Sequence, residues 1–180
     1  MTRKLQIGVF GSMADLDYTD QIASLAEEIG AEIARGGNIL VFGAEKDADS
    51  LSTAACRGAK RESGLTIGIT YGKTKDIYEK DADVVIPTGL ERGGGREFVL
   101  ALACDAVIAI SGGSGTLNEL AVAYQADIPM ICLTGVGGWS DRLAGEYFDA
   151  RQRRRCLAAG SAEEAVRLAL QEAIRNSERS

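Results

Sequence analysis

Short runs of near-continuous apolar, β-branched residues alternate along the chain with longer stretches in which apolar positions recur every three or four residues. The short runs are LQIGVF at 5–10, NILVF at 38–42, LTIGIT at 65–70, DVVIP at 83–87, AVIAI at 106–110 and PMICL at 129–133. Successive side chains of a strand point to opposite faces of its sheet, so runs that are apolar at every position suit strands covered on both faces. Between the first two runs, Ile22, Leu25, Ala26, Ile29 and Ile33 recur at helical spacing and Gly36 with Gly37 ends the segment, as expected of an amphipathic helix closed by glycine. Near the end of the chain, Ser161 and Glu164 form a capping box ahead of an apolar-periodic segment. This predicts a closing helix and then a frayed NSERS tail. Strand followed by helix, repeated, predicts an α/β fold: one domain over residues 1–180, with a doubly wound parallel sheet of six or seven strands and helices on both faces.

Composition narrows the partners. A formal net charge of −6 with no long basic block argues against nucleic acid as a ligand. The exception is RQRRR at 151–155, which reads as a solvated helix face or the rim of a phosphate-facing interface before it reads as a nucleic-acid patch. Cys56, Cys104, Cys132 and Cys156 are scattered, without a C-x-x-C pair, so they read as small core residues in a reducing compartment and give neither a disulfide framework nor a zinc site. The first residues resemble neither a signal peptide nor a spanning helix, and the expectation is a cytoplasmic protein without a membrane partner. The chain has no histidine. That removes Ser-His and Cys-His nucleophiles, histidine metal sites and histidine bases together. No metal and no resident cofactor are called for, and any chemistry falls to carboxylates, arginine, hydroxyls and backbone amides.

In an open parallel sheet, ligands bind beyond the carboxyl ends of the strands, where helix N-termini present free amides. The loops to weigh are GSMADLD, which begins with Gly11 and Ser12, GAEKDAD, which begins with Gly43, then TGLERGGG, SGGSGT and TGVGGWSD. In SGGSGTLNE, Gly112, Gly113 and Gly115 permit positive φ and close backbone approach, and Ser114 and Thr116 lie where a helix begins. That arrangement seats an anion, above all a phosphate. The lysine and hydroxyl of a nucleoside triphosphate loop are missing, and no G-x-G-x-x-G follows any strand, so neither triphosphate hydrolysis nor dinucleotide binding is indicated. The bland reading is that these glycines only shape a tight turn. Glu119 lies three residues after Thr116 and completes a capping box without any function. Alternatively, it is a carboxylate kept ionised by the helix end and turned toward a ligand. Arg96 follows three glycines. In a first helical turn a cation opposes the dipole at a cost of about 0.3–1 kcal/mol. A bidentate phosphate would compensate it, and pairing with Glu91 is the plain alternative.

GGSGTLNE resembles the G-G-x-G-T-x-x-E signature of the LOG (LONELY GUY) family, the so-called lysine decarboxylase-like proteins, and Arg96, nine residues before Asp105, falls where that family has its catalytic arginine. The resemblance runs from about Leu5 to Trp139. It implies a Rossmann-like nucleotide-binding fold and N-glycosidic hydrolysis of nucleoside monophosphates, with Arg96 and Glu119 as the catalytic pair. It also implies a homo-oligomer, a dimer or tetramer, with its site near a subunit boundary. The short chain and TGVGGWSD resemble the branch that contains molybdenum-cofactor carrier proteins, which hold a nucleotide-like pterin phosphate without cleaving it. Two positions depart from the family pattern. Its usual proline before the glycine pair is Ser111, and the loop after the second strand has Gly43 and then Glu45, Asp47 and Asp49, acids that would repel a second anionic group. Trp139 could stack on a base or pterin or anchor a loop; Tyr71 and Tyr124 give no signal beyond packing. The leading expectation is a binder of a nucleoside monophosphate-like ligand that cleaves the N-glycosidic bond. The alternative is a non-catalytic carrier or sensor of a nucleotide-like cofactor such as molybdenum cofactor.

Overall fold

The computed structural model describes residues 3–91 and 93–178. Arg92 of the TGLERGGG loop and the last two residues of the expected tail, Arg179 and Ser180, lie outside the described residues. In chain order the elements are β1 (Gln6–Gly11), α1 (Asp20–Arg35), β2 (Ile39–Ala44), α2 (Leu51–Arg61), β3 (Leu65–Thr70), β4 (Val84–Pro87), α3 (Arg96–Leu102), β5 (Ala106–Ile110), α4 (Ser114–Gln125), β6 (Met130–Leu133), α5 (Gly138–Leu143), β7 (Leu157–Ala159) and α6 (Ala162–Ser177). A 3-10 turn, Ala14–Leu16, lies between β1 and α1.

The seven strands form one parallel sheet in the order β4-β3-β2-β1-β5-β6-β7, a Rossmann-like α/β arrangement. The central strand β1 sets Ile7 beside Leu40 on one side and Ala106 on the other. One face of the sheet packs on α1, α2 and α6 through Ile29, Ile33, Leu51, Ala55 and Ala169. The other packs on α3, α4 and α5 through Leu100, Leu120, Val122 and Leu143. The apolar runs therefore lie where two-sided cover requires them, except at the edge strand β4, where Val84 and Ile86 are exposed. β7 was not among the apolar runs, because three residues are too short to carry a pattern.

The helix ends follow the capping chemistry with small changes. Thr19 accepts from the Ile22 amide at 3.3 Å and opens α1. Ser161 accepts from the Glu164 amide at 3.2 Å, as its capping box predicts, but the Glu164 carboxylate reaches back to the Gly160 amide, one residue earlier than a reciprocal box would place it. α6 extends two residues into the expected frayed tail. Asn176 explains the extension, since it accepts from Arg154 at 2.8 Å and donates to the Asp127 carbonyl. The RQRRR segment is a loop rather than a helix face, and two of its four arginines have acidic partners: Arg151 pairs with Asp149 and Arg154 with Asp127, while Arg155 donates to the Gly145 carbonyl.

The contact between α1 and α2 is made backbone to backbone. A methyl at Gly30 would come within 1.8 Å of the Ala55 carbonyl oxygen, and one at Gly58 within 1.7 Å of the Glu27 oxygen. Neither helix can accept a side chain there without moving off the other. Gly115 is the converse, a helical glycine whose added methyl meets nothing within 4 Å. Gly58→Ala is therefore expected to cost at least about 2 kcal/mol, a fall of roughly 4–8 °C in a domain of this size. Gly115→Ala should leave the Tm unchanged or raise it. Thermal unfolding of the two variants side by side checks the pair, and a stable Gly58→Ala would refute the packing argument.

Candidate functional site

β1 and β5 are neighbours whose following helices leave toward opposite faces, and a cavity of about 430 Å³ opens at their carboxyl ends. This is the crevice that a doubly wound sheet offers a ligand. Gly11, Gly43, Arg96, Gly113, Ser114, Gly115, Thr116 and Glu119 all line it. Ser12, Gly112 and Trp139 do not.

The glycine turn leaves the start of α4 without a side-chain cap. Gly113, extended at φ −98° and ψ −151°, is the N-cap of α4 and has no side chain to give. The first helical hydrogen bond runs from the Leu117 amide to the Gly113 carbonyl at 3.0 Å, so the amides of Ser114, Gly115 and Thr116 precede the helical ladder and lack a side-chain cap. The expected Thr116–Glu119 capping box is not formed. α4 starts at Ser114, so Thr116 lies inside its first turn, packed against Gly112, and Glu119 lies deeper in the helix. Ser111, in place of the family's proline, adopts φ 56°, a left-handed value closed to a proline ring held near −65°. The substitution therefore goes with a different backbone in the turn. Ser12 staples that turn: its hydroxyl accepts from the Gly112 amide at 2.9 Å and donates to Ser111 at 3.0 Å.

The second glycine loop serves as a brace. The amides of Trp139 and Ser140 donate to the carbonyls of Gly112 and Ser111, and Gly138 approaches so closely that a methyl would lie 2.5 Å from the Ser111 carbonyl carbon. The Asp141 carboxylate accepts from the amides of Gly135 and Gly137 at 2.7 and 2.6 Å, so an anion of the protein's own already occupies this loop. The Trp139 ring lies under the Arg142 guanidinium, 4.9 Å from it.

Beneath the α4 turn lies a polar cluster that the sequence reading saw only in part. Arg96 is buried. Its Nη2 donates to the Tyr71 hydroxyl at 2.7 Å and to Glu45 at 3.1 Å, and its guanidinium lies 4.0 Å over the Tyr71 ring. Its partner is thus Glu45 and not Glu91. The acidic loop is accordingly less repulsive than its charges suggested, since Glu45 pairs with Arg96 and Asp49 with Arg57. Gly43 makes room for the guanidinium, because a methyl there would lie 2.3 Å from Nη1. The Tyr71 hydroxyl donates in turn to Glu97, whose other oxygen is buried without a partner, as is Arg96 Nε. Glu119 is 7% exposed. Burial pushes its carboxyl up to about 8, with Arg96 opposing and Glu97 and Glu45 adding to the rise, so the expected ionised carboxylate is instead largely protonated at neutral pH. Tyr71 and Glu45 immediately follow the ends of β3 and β2. The rule that sites gather at strand carboxyl ends could have singled them out.

Fold and site together define a Rossmann-like domain with an uncapped helix start lining the cavity at its topological switch point. The chain belongs to the SLOG cluster4 family, whose model matches residues 4–166. An uncharacterized protein of Archaeoglobus fulgidus is 33% identical over 121 residues, 67% of this chain and 74% of its own length. Among solved structures, the structural-genomics target TM1055 superposes with a TM-score of 0.82 at 28% identity, covering 93% of this chain and 99% of that one. The molybdenum cofactor carrier protein of Chlamydomonas reinhardtii gives 0.79 at 28%, over 96% and 99% of the two chains. The molybdenum cofactor binding protein of the phototrophic bacterium Rippkaea orientalis gives 0.77 at 29%, over 100% of both. The chain thus falls in the LOG-like branch that contains molybdenum-cofactor carriers. DNA processing protein A of Helicobacter pylori shares the fold alone, with a TM-score of 0.67 at 15% identity over 93% and 81%. Among the described residues, no helix is long and apolar enough to cross a membrane and no group of acidic or cysteine side chains is arranged to hold a metal ion.

The raised Glu119 carboxyl has a thermodynamic signature. Unfolded, it loses its proton near the ordinary value of 4.5, whereas the folded protein holds it to about 8. Between those values the folded state binds more protons, so this residue's contribution to stability falls as pH rises through the window and levels off above about 8. Glu119→Gln keeps the shape and removes the titration. Its Tm should exceed wild type by at least about 3 °C at pH 8.5, for a gain of roughly 1 kcal/mol or more, and match it at pH 4.5. Equal Tm values at both pH values would refute the buried, proton-holding carboxyl.

Proposed function

We propose that the protein binds a nucleotide-like small molecule through one phosphate seated on the α4 amides, and that it carries this molecule rather than cleaving it. The observation that carries the reading is the state of Glu119. A carboxylate that steadies an oxocarbenium-like centre must be ionised, whereas this one is buried, lines the same cavity as the α4 amides and is pushed up to about 8 by burial, which leaves it the role of a proton donor and not of that stabiliser. An arriving phosphate would hold that proton more tightly still. Arg96, the other member of the expected catalytic pair, is committed to Glu45 and Tyr71. The two solved relatives named for molybdenum cofactor favour a pterin phosphate of that kind as the cargo. The residues fit its phosphate end. No cysteine lines the cavity, so the metal end would keep the cofactor's own ligands. The presence of Arg96 and Glu119 in one cavity favours a second reading, hydrolysis of a nucleoside monophosphate by that pair.

Isothermal calorimetry with nucleoside monophosphates and with isolated molybdenum cofactor, run beside an assay for free base, separates the two readings. Binding without base release is the expected result. Base release that Glu119→Gln abolishes would establish the hydrolase instead. Gly115→Asp places a carboxylate in the first turn of α4, where it suits the helix dipole and its Cβ meets no neighbour within 4 Å. It should preserve the Tm and weaken binding at least about tenfold, roughly 1.4 kcal/mol. Unchanged affinity would move the phosphate elsewhere.

We also propose a homo-oligomer. Phe98 and Leu102 on α3 are 53% and 57% exposed, Val99 beside them is exposed, and Asn118, Ala121 and Gln125 of α4 continue the patch without a charge. An uncharged face of this kind suits a second copy of a chain whose net charge is −6. Light scattering should show a dimer or larger species that Leu102→Lys dissociates. A wild-type monomer at micromolar concentration would refute it. The four free, buried thiols are in keeping with a reducing, cytoplasmic setting.

A further inference from the structure

The RQRRR segment is a motif that the strand-end cavity does not use, and the fold places it at the opposite edge of the sheet. A second cavity, of about 260 Å³, opens there at the amino ends of β6 and β7, beside Pro129, Met130 and Leu157. Arg153, Arg154 and Arg155 line it. Residues 145–156 fold back on themselves, with Tyr147 and Arg155 in an antiparallel bridge, the Gly145 amide on the Cys156 carbonyl and the Cys156 amide on the Glu146 carbonyl, both at 2.8 Å. Arg154 is the anchor. Only 13% of its side chain is exposed, and it donates to Asp127 and to Asn176, each at 2.8 Å, which ties the segment to the turn after α4 and to the last turn of α6.

The charges around this cavity do not balance. Both carboxylates that line it already have partners, since Asp127 pairs with Arg154 and Glu172 with Arg175. Arg155 donates Nε to the Gly145 carbonyl and lies 5.9 Å over the Tyr147 ring, and Arg153 is exposed. Neither has an acidic partner among the described residues. Two guanidiniums are thus held together without counter-charge in a chain whose net charge is −6.

We propose that these arginines form a second anion site, at the edge of the sheet away from the strand-end cavity, and that its ligand is the phosphate group of a small molecule. Two unpaired guanidiniums call for about two negative charges in a small volume. A phosphate monoester brings about 1.5–2 at pH 7 in a single group, with oxygens that match the planar guanidinium fork. A cavity of about 260 Å³ admits that group with a short organic tail and no folded partner. The site does not depend on the α4 turn.

Amide NMR of the isotope-labelled protein reads the two edges separately. Inorganic phosphate and glycerol 3-phosphate, each compared with sodium chloride at matched ionic strength, should shift the amides of residues 145–156 in a saturating way. Saturation by inorganic phosphate alone assigns the free ion, and tighter binding of the ester assigns an organic phosphate; both support the site. Arg153→Gln loses no hydrogen bond or ion pair of its side chain and should keep the Tm. It should weaken the response at 145–156 at least about tenfold, as expected for one charge-assisted contact, and leave any response at residues 114–116 as in wild type. Absence of a saturating shift at 145–156 with either phosphate, a shift that sodium chloride reproduces by screening alone, or one that Arg153→Gln leaves unchanged overturns the site. So does saturation by poly-glutamate where neither phosphate binds, which would make the segment a contact for an acidic protein. The amides at 114–116 report on the α4 turn in the same spectra, so either site can fail without the other.

Discussion

A guanidinium with only 6% of its side chain exposed must have counter-charge and hydrogen-bond partners close by, and the floor of the cavity is arranged around that requirement of Arg96. Glu45 supplies the nearest opposite charge, the Tyr71 hydroxyl and ring supply an acceptor and a π face, and Gly43 is bare because no side chain fits beside Nη1. These groups come from the ends of β2 and β3 and the start of α3, so satisfying one buried cation fixes three elements relative to one another. The same demand turns Glu97 toward Tyr71. Glu119 lies in the same cavity, where burial above all, and then the charges of Glu97 and Glu45, push its carboxyl up against the opposing pull of Arg96.

The parallel sheet decides where this cluster lies. With every strand running the same way, all the strand-to-helix turns emerge at one edge, and the turns differ only in whether their amides already have partners. Asp141 closes the loop before α5, and the Ser50 hydroxyl with the Ser12 carbonyl closes the start of α2. The α4 turn stays open since its cap is a glycine. Ser12 has a part in both outcomes: its hydroxyl shapes the α4 turn and its carbonyl satisfies α2. A residue that contacts no cavity atom thus helps to set which turn can receive a ligand.

Five of the strands were legible because burial leaves a run of apolar residues; β4, an edge strand with Val84 and Ile86 exposed, was legible by its apolar run without that cover, and β7 was not because a three-residue strand leaves none. The glycine turn was legible as the link between a strand and an uncapped helix start, since glycines between a strand and a helical pattern mark such a turn. Its cap was misread: T-x-x-E matches a capping box by spacing, but the helix begins at Ser114, and spacing does not say which residue turns helical first. Ser111 shows the limit from another side, since its left-handed φ is a property of the folded turn. Glu45 and Asp49 read as repulsive because the sequence gives the sign of a charge without its neighbour, and the pairs Glu45–Arg96 and Asp49–Arg57 lie 51 and 8 residues apart. Trp139, set between glycines, suggested a stacking platform, yet its backbone amide makes the structural contact while its ring meets Arg142.

On the proposed reading, what separates carriage from cleavage is the electrostatic state of the floor, not the list of residues on it. An arginine and a glutamate at these positions suit glycosidic hydrolysis when the carboxylate is charged and the guanidinium is free to engage the substrate. Here burial reverses both conditions, protonating Glu119 and committing Arg96 to Glu45. A neutral carboxyl beside a phosphate seat avoids the like-charge repulsion that an ionised one would impose, which favours retention of a bound phosphate over turnover. The same pair of residues can therefore serve opposite ends. On the proposed reading, Glu45 after β2, by engaging Arg96, tips this chain toward holding its ligand.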